Sequence, residues 1–196
     1  DLHSFPTRRS SDLEILQLLS DRDDLTLQAN GRMKRPKYGK DVWNLNVTSL
    51  NVTQELTEFV SKHFITLPEP VSRLGDIHLK GSFSSDAEGT LQALADLTTD
   101  IGHAEAQLQL RDDKQFTGSV STDEVNIGQL LANEKLGIVA TNMEFSGTLN
   151  KQIAAKGTIG KFEYDGYTYT NIDLDGSYAA NHLDGRVQIS DPRLAA

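Results

Sequence analysis

Side chains that commonly carry catalysis or hold metals occur singly in this chain. The histidines do not stand at metal-ligand spacing from one another or from a carboxylate; they are His3, His63, His78, His103 and His182. There is no cysteine, which excludes disulfides, thiolate metal sites and cysteine nucleophiles. Serine-elbow, phosphate-loop and dinucleotide-binding patterns are also absent from the sequence. We therefore expect neither an enzyme nor a cofactor.

One acidic motif imitates part of a calcium-binding loop. Asp173-Leu174-Asp175-Gly176 has alternating carboxylates but lacks the flanking acidic positions and the closing glutamate. The motif also falls within a predicted strand. We expect no metal at these residues.

A basic cluster occupies residues 32–40, with the sequence RMKRPKYGK. It follows a predicted strand and contains Pro36 and Gly39, so we expect a loop. A solvated loop is one interpretation, and contact with anionic lipid headgroups is the other. The basic side chains are Arg32, Lys34, Arg35, Lys37 and Lys40. The chain as a whole has a net charge of −9, which argues against nucleic acid as a partner.

The length of 196 residues is compatible with one domain or at most two, and is sufficient for a hydrophobic core. Residues 1–13, DLHSFPTRRSSDL, have neither a strand nor a helix period, and we interpret them as a non-native or disordered segment. Residues 14–196 are predicted to belong to one elongated β-sheet domain, a fragment of a longer protein. No run of about 18 apolar residues is present, so no membrane-spanning helix is expected.

Alternation of apolar and polar residues with a period of two dominates from Glu14 onward. This pattern predicts an all-β fold with an antiparallel sheet that is exposed to solvent on one face. The strands predicted for the C-terminal half are 143–149, 152–164, 167–179 and 182–190. Turn residues separate them at Asn150-Lys151, Asp165-Gly166 and Ala180-Asn181. The order of strands and turns predicts a meander.

Two short helices are predicted to interrupt the strands. The first is Val52–Phe64, with Thr53 as its N-cap and Pro68 beyond its end. The second covers residues 126–133. We expect both to be flaps at the edge or end of a long, curled sheet.

Many glycines have an apolar residue two positions away on both sides and therefore share the apolar face of the strands. They are Gly31, Gly81, Gly89, Gly118, Gly147, Gly157, Gly176 and Gly185. Glycine within a strand indicates a bend or a close approach to the backbone. Curvature of the sheet and a groove left open for an apolar guest are both compatible with this pattern.

The C-terminal half combines several short motifs in a fixed order. They are Tyr167/Tyr169, Asn171-Ile172, Leu174-Asp175-Gly176, Leu183-Asp184-Gly185 and Asp191-Pro192, preceded by residues 96–102, Phe116-Thr117-Gly118 and residues 126–131. In this order they resemble the TamB translocation and assembly module, an AsmA-like family, in its Bacteroidetes-type form. The resemblance covers residues 75–194.

This resemblance implies a segment of a large cell-envelope protein in the periplasm of a diderm bacterium. The family has an inner-membrane anchor, which is missing here, and a long β-sheet shaped like a taco with a hydrophobic trough. It implies phospholipid transport between the inner and outer membranes, and a role in outer-membrane protein assembly and secretion with an outer-membrane barrel assembly protein as partner. No nucleic acid is implied.

Strand parity then predicts which side chains would line the trough and contact phospholipid acyl chains. They are Ile153, Ile159, Ile172, Leu174, Tyr178, Leu183, Val187 and Ile189. Two other classes stay open. One is a periplasmic assembly scaffold that acts through its strand edges, and the other is an extracellular β-sandwich binding module.

Overall fold

The computed structural model describes residues 13–21, 23–63 and 69–193, and these residues are mainly β-structure. They form one 11-stranded antiparallel sheet with short helices in two of its connections. The strands are β1 (Leu13–Asp21), β2 (Leu25–Lys34), β3 (Val42–Val52), β4 (Ile77–Ser85), β5 (Leu91–Thr99), β6 (Gly102–Leu110), β7 (Gln115–Asn126), β8 (Leu136–Thr148), β9 (Gln152–Tyr164), β10 (Tyr167–Ala179) and β11 (His182–Ile189). The helices are α1 (Gln54–His63), α2 (Glu69–Ser72) and α3 (Ile127–Leu131). The predicted all-β class and antiparallel sheet are confirmed, and the sheet is not closed into a barrel.

Each strand pairs with the strands that precede and follow it, so the sheet order runs from β1 to β11 without a crossover. The predicted meander is therefore correct. Two hairpins have two-residue turns with both residues in the left-handed region: Asp165 and Gly166 at φ 50° and 81°, and Ala180 and Asn181 at φ 50° and 61°. Such turns match the right-handed twist of the flanking strands.

The register gives the sheet one apolar and one polar face. In β4 the apolar face carries Leu79, Gly81 and Phe83, which lie opposite Leu97, Ala95 and Ala93 of β5. We call this side and its register-matched positions the apolar face. The other side, which carries residues such as His78, Lys80 and Ser82, is the polar face. Side chains alternate between these faces because successive residues of a strand point in opposite directions.

The helices lie in the connections at one end of the sheet. In α1 the Thr53 hydroxyl accepts a hydrogen bond from Leu56 N at 3.3 Å, so Thr53 is the predicted N-cap. In α3 the Asn126 side chain accepts from Gln129 N at 2.9 Å. Helix α2 was not expected from the sequence. The predicted end of the first helix, with Phe64 and Pro68, lies outside the described residues.

Few apolar side chains are fully buried. The buried apolar residues of the described chain are Ala29, Val47, Ile101 and Ile172. Each strand contacts chiefly its neighbours in the sheet, so no second layer packs on the apolar face within the described ranges. None of the described helices is long and apolar enough to cross a membrane. The N-terminal segment predicted as non-native lies outside the described residues except for Leu13, which begins β1.

Candidate functional site

The predicted lining residues all lie on the apolar face of the last three strands. Their cross-strand rows are Ile153–Tyr178–Leu183, Leu174–Val187 and Ile159–Ile172–Ile189. Continuous pairing of β9 with β10 and of β10 with β11 aligns the rows. The structure therefore brings these side chains together as the parity argument predicted, whereas their contact with lipid stays a prediction.

Exposure of these rows increases toward the edge strand. In β11 the exposed fraction is 75% for Leu183 and 62% for Val187, whereas Ile172 in β10 is 5% exposed. Contiguous exposed apolar surface on a soluble chain commonly marks a site of interaction with a partner or a lipid. The exposed rows of β9–β11 are therefore the candidate functional site.

Two glycines of the apolar face each lie beneath an aromatic ring of a neighbouring strand. Gly118 is opposite Phe145, and Gly147 is opposite Phe116. A Cβ built on Gly118 would come within 2.6 Å of the Phe145 ring, and one on Gly147 within 2.9 Å of the Phe116 ring. The ring centroids of Phe116 and Phe145 are 6.2 Å apart. At both positions an added Cβ would come still closer to a backbone carbonyl, Gln107 O or Gln152 O, so glycine allows the close approach of a neighbouring strand as well as of a ring.

The surface depressions differ in the face on which they lie. On the polar face, one of ≈590 Å³ spans β3 to β7 around Leu94, and another of ≈580 Å³ spans β6 to β10. The apolar face has a hollow of ≈430 Å³ beside Phe116, Ile153 and Tyr178. All are open to solvent. The apolar face thus offers a broad surface on which a flexible chain could lie, with a hollow at the end of the sheet that lacks helices.

The basic cluster is partly strand and partly loop. Arg32 and Lys34 belong to β2, so the prediction of a loop was wrong for these residues; they pair with Asn44 and Val42 of β3, and the ladder extends to the end of β2. All five basic side chains are exposed. Arg35 pairs with Asp41 at 3.5 Å, and Lys40 pairs with Asp112. These carboxylates partly neutralise the cluster.

A group of ionisable side chains on the polar face is assembled mainly by strand pairing, and only the spacing of two residues between His103 and Glu105 was visible in the sequence. His103 of β6 has Nε2 at 3.2 Å from Asp96 Oδ1 of β5 and Nδ1 at 3.6 Å from Asp123 Oδ2 of β7. Glu105 lies opposite Asp96. The interpretation of His103 as an isolated histidine was therefore wrong, because its carboxylate neighbours come from the adjacent strands.

An inaccessible carboxylate fixes the segment after β11. Asp191 accepts hydrogen bonds from Thr170 N at 3.2 Å and Arg193 N at 2.9 Å, and its side chain is 0% exposed. The Arg193 guanidinium lies 5.3 Å from the centroid of the Tyr167 ring. The backbone hydrogen bond from Arg193, opposed by desolvation and aided by its guanidinium, lowers the pKa of Asp191. The Asp-Pro motif therefore holds the chain against the start of β10.

A second ionic group lies where β8 and β9 shift register. Lys161 contacts Glu163 at 3.2 Å and Glu124 at 3.3 Å. Hydrogen bonds from Lys161 to Glu163 and then to Glu124 raise the pKa of the ammonium. The backbone hydrogen bond from Ile138 is the main cause that lowers the pKa of Glu163. These contacts join β7, β8 and β9, and we interpret the group as structural.

No family model, curated protein or solved structure matches the chain. The likeness of residues 75–194 to the TamB module therefore rests on the motifs quoted from the sequence.

Proposed function

We propose that this chain is a segment of a TamB-like cell-envelope protein whose apolar sheet face carries the acyl chains of phospholipids. In this proposal the parent protein is anchored in the inner membrane and spans the periplasm. It moves phospholipid between the inner and outer membranes and supports outer-membrane protein assembly and secretion together with a barrel assembly protein. The observation that carries the proposal is the uncovered apolar face, with Leu183 and Val187 largely exposed.

In this proposal the affinity for lipid comes from the apolar surface area that is buried on binding, and not from specific polar contacts. Burial of one methylene group contributes about 0.8 kcal/mol, so one or two acyl chains could be held by the apolar rows alone. Successive strands present similar rows, as Leu79 lies opposite Leu97 and Ile159 lies opposite Ile172. An acyl chain that moves from one strand to the next therefore contacts a similar apolar surface before and after the move. Movement along the sheet therefore needs no catalytic residue.

The basic cluster provides a candidate contact for headgroups. Arg32, Lys34 and Lys37 are exposed at the end of the sheet away from the helices. Each basic residue near an anionic membrane surface contributes about 1 kcal/mol of attraction. Arg32 and Lys34 are on the polar face, so in this proposal the cluster would contact an anionic membrane surface at this end of the sheet and not the lipids whose acyl chains lie on the apolar face.

The decisive experiment compares the same charge placed on the two faces of β11. Val187→Glu puts a carboxylate on the apolar face, and His182→Glu puts one on the polar face of the same strand. Both positions are exposed, so both variants are expected to fold. The wild type and both variants would be produced in a diderm bacterial periplasm, purified without detergent and examined by native mass spectrometry.

We expect wild type and His182→Glu to retain phospholipid and Val187→Glu to lose it. Circular dichroism would establish that each variant keeps its strands. A folded wild-type chain without lipid would overturn the conduit for this segment, as would equal lipid content in all three proteins.

The scaffold with accessible strand edges is the second candidate. Every residue of β11 is exposed, and this strand has a neighbour on one side only. An unpaired edge can add a strand from a partner. Proline substitutions along β11 would abolish such pairing, whereas Val187→Glu would leave the edge backbone intact. The β-sandwich module lacks comparable support, because the described strands form one sheet.

A further inference from the structure

The polar face gathers one imidazole and several carboxylates from three neighbouring strands. Ligand atoms of Asp96, His103 and Glu105 all lie within 4.8 Å of one another. Asp96 and Glu105 are directly opposite in the pairing of β5 with β6, and His103 is on the same face two residues before Glu105. The antiparallel register therefore holds these three side chains together without any loop.

The donor set has the chemistry of a zinc-type site. Zn²⁺ binds imidazole nitrogen and carboxylate oxygen at about 2.0–2.2 Å, so donors around one ion lie about 3.3 Å apart. His103 Nε2 and Asp96 Oδ1 are already 3.2 Å apart. Glu105 has a flexible side chain that needs a small rotation to complete a three-ligand set. A water molecule would take the fourth position, as in sites that have three protein ligands.

Asp123 completes the arrangement from the other side of the imidazole. Its Oδ2 is 3.6 Å from His103 Nδ1, so a carboxylate faces the ring nitrogen that would not bind the metal. A carboxylate at this position orients a ligating histidine and raises its basicity. Asp123 lies where the register of β7 with β8 shifts, between Thr122 and Val125. Irregularities of this kind often redirect side chains toward functional sites.

The surrounding charges favour a cation. Asp96, Glu105 and Asp123 supply three carboxylates, and Lys80 of β4 lies opposite Asp96. A divalent ion would relieve the repulsion among the carboxylates more fully than Lys80 can from a neighbouring strand. The His103 side chain is 32% exposed, so an ion can reach it from solvent.

We propose that Asp96, His103 and Glu105 bind a divalent transition-metal ion of the zinc type on the polar face, with Asp123 as a positioning residue for His103. This inference is independent of the lipid-binding proposal, because it concerns the opposite face of the sheet.

The test is a titration of the full 196-residue chain with Zn²⁺ by isothermal calorimetry. We expect one site in the wild type and its loss in His103→Gln. Asp123→Asn should weaken binding about 10- to 100-fold, the usual effect of removing a carboxylate that orients a ligand. His78→Gln is the matched control, since His78 is on the polar face but hydrogen-bonds to Asn51 at 2.7 Å. This control should bind Zn²⁺ as the wild type does.

Cobalt adds a readout that reports the ligand. Co²⁺ in the wild type should give a visible absorption spectrum that His103→Gln abolishes and His78→Gln preserves. No saturable binding of Zn²⁺ by a folded wild type would overturn the proposal. Binding that survives His103→Gln, or that His78→Gln weakens equally, would also overturn it.

Discussion

At the scale of single residues, Asp191 shows how one carboxylate can end a strand. After Ile189 the chain continues alongside β10, and Asp191 accepts hydrogen bonds from Thr170 N of β10 and from Arg193 N two residues further along the chain. A carboxylate that accepts such bonds has its charged form stabilised, which is why its pKa is lowered. A group with a lowered folded-state pKa contributes stability above its unfolded pKa and loses that contribution as the pH falls through the folded value.

Asp191→Asn should therefore destabilise the chain most at neutral pH. The difference in urea midpoint between wild type and variant should be constant above the ordinary pKa of 3.8 and should shrink as the pH falls below it. Asp184→Asn is the control, because Asp184 is an exposed carboxylate of β11. A midpoint difference that stays the same down to pH 2 would mean that the Asp191 charge does not contribute.

At the scale of strands, two glycines of the apolar face form cross-strand pairs with phenylalanine rings. Gly118 opposes Phe145 and Gly147 opposes Phe116, so each ring covers a glycine of the adjacent strand. Alternation predicted that the glycines share the apolar face; this is correct for Gly118 and Gly147 and wrong for Gly89, which lies in the turn between β4 and β5. The rings that cover Gly118 and Gly147 could not be predicted, because cross-strand register depends on turn geometry and bulges along the whole chain.

Gly118→Ala should be destabilising, since its Cβ would lie 2.4 Å from Gln107 O and 2.6 Å from the Phe145 ring. Overpacking of this kind costs about 1–3 kcal/mol. Gly160→Ala in β9 is the matched control, because its Cβ would find only Ala140 O at 3.9 Å. That substitution should be neutral or stabilising by about 0.4–1 kcal/mol through the unfolded state. Urea unfolding of both variants tests the pair, and equal stabilities would refute the tight packing around Gly118.

At the scale of the whole molecule, the regular alternation of apolar and polar residues predicted the fold. Part of the candidate sites could not be predicted from the spacing of residues along the chain. The meander of β8–β11 and the shared face of Ile153, Leu174 and Val187 followed from a period of two. Helix α2 could not be predicted, because a single helical turn is too short to show a periodic pattern of apolar residues. Asp96 and Asp123 were equally hidden as neighbours of His103, since they reach it only when β5, β6 and β7 pair, whereas Glu105 follows His103 by two residues on the same strand. A site whose residues come from several strands can therefore be predicted only when the pairing register of the strands is known. A single sequence does not give this register.

An open meander also predicts where the molecule is weakest. Each strand is supported chiefly by its two neighbours, and β11 has a neighbour on one side only. Its residues are all exposed, whereas β8 and β9 are 13-residue strands paired on both sides. Local opening should therefore cost less free energy at β11 than at β8 and β9, as in other folds that contact only sequential neighbours.

Hydrogen exchange measured by mass spectrometry should thus show fast exchange in β11 and slow exchange in β8 and β9. Native mass spectrometry of the same sample is the control, because a second copy paired with the edge would protect β11. Protection of β11 equal to that of β9 in a monomer would contradict the gradient. Such a result would mean that the sheet opens as one cooperative unit and that the edge strand is as stable as the strands inside the sheet.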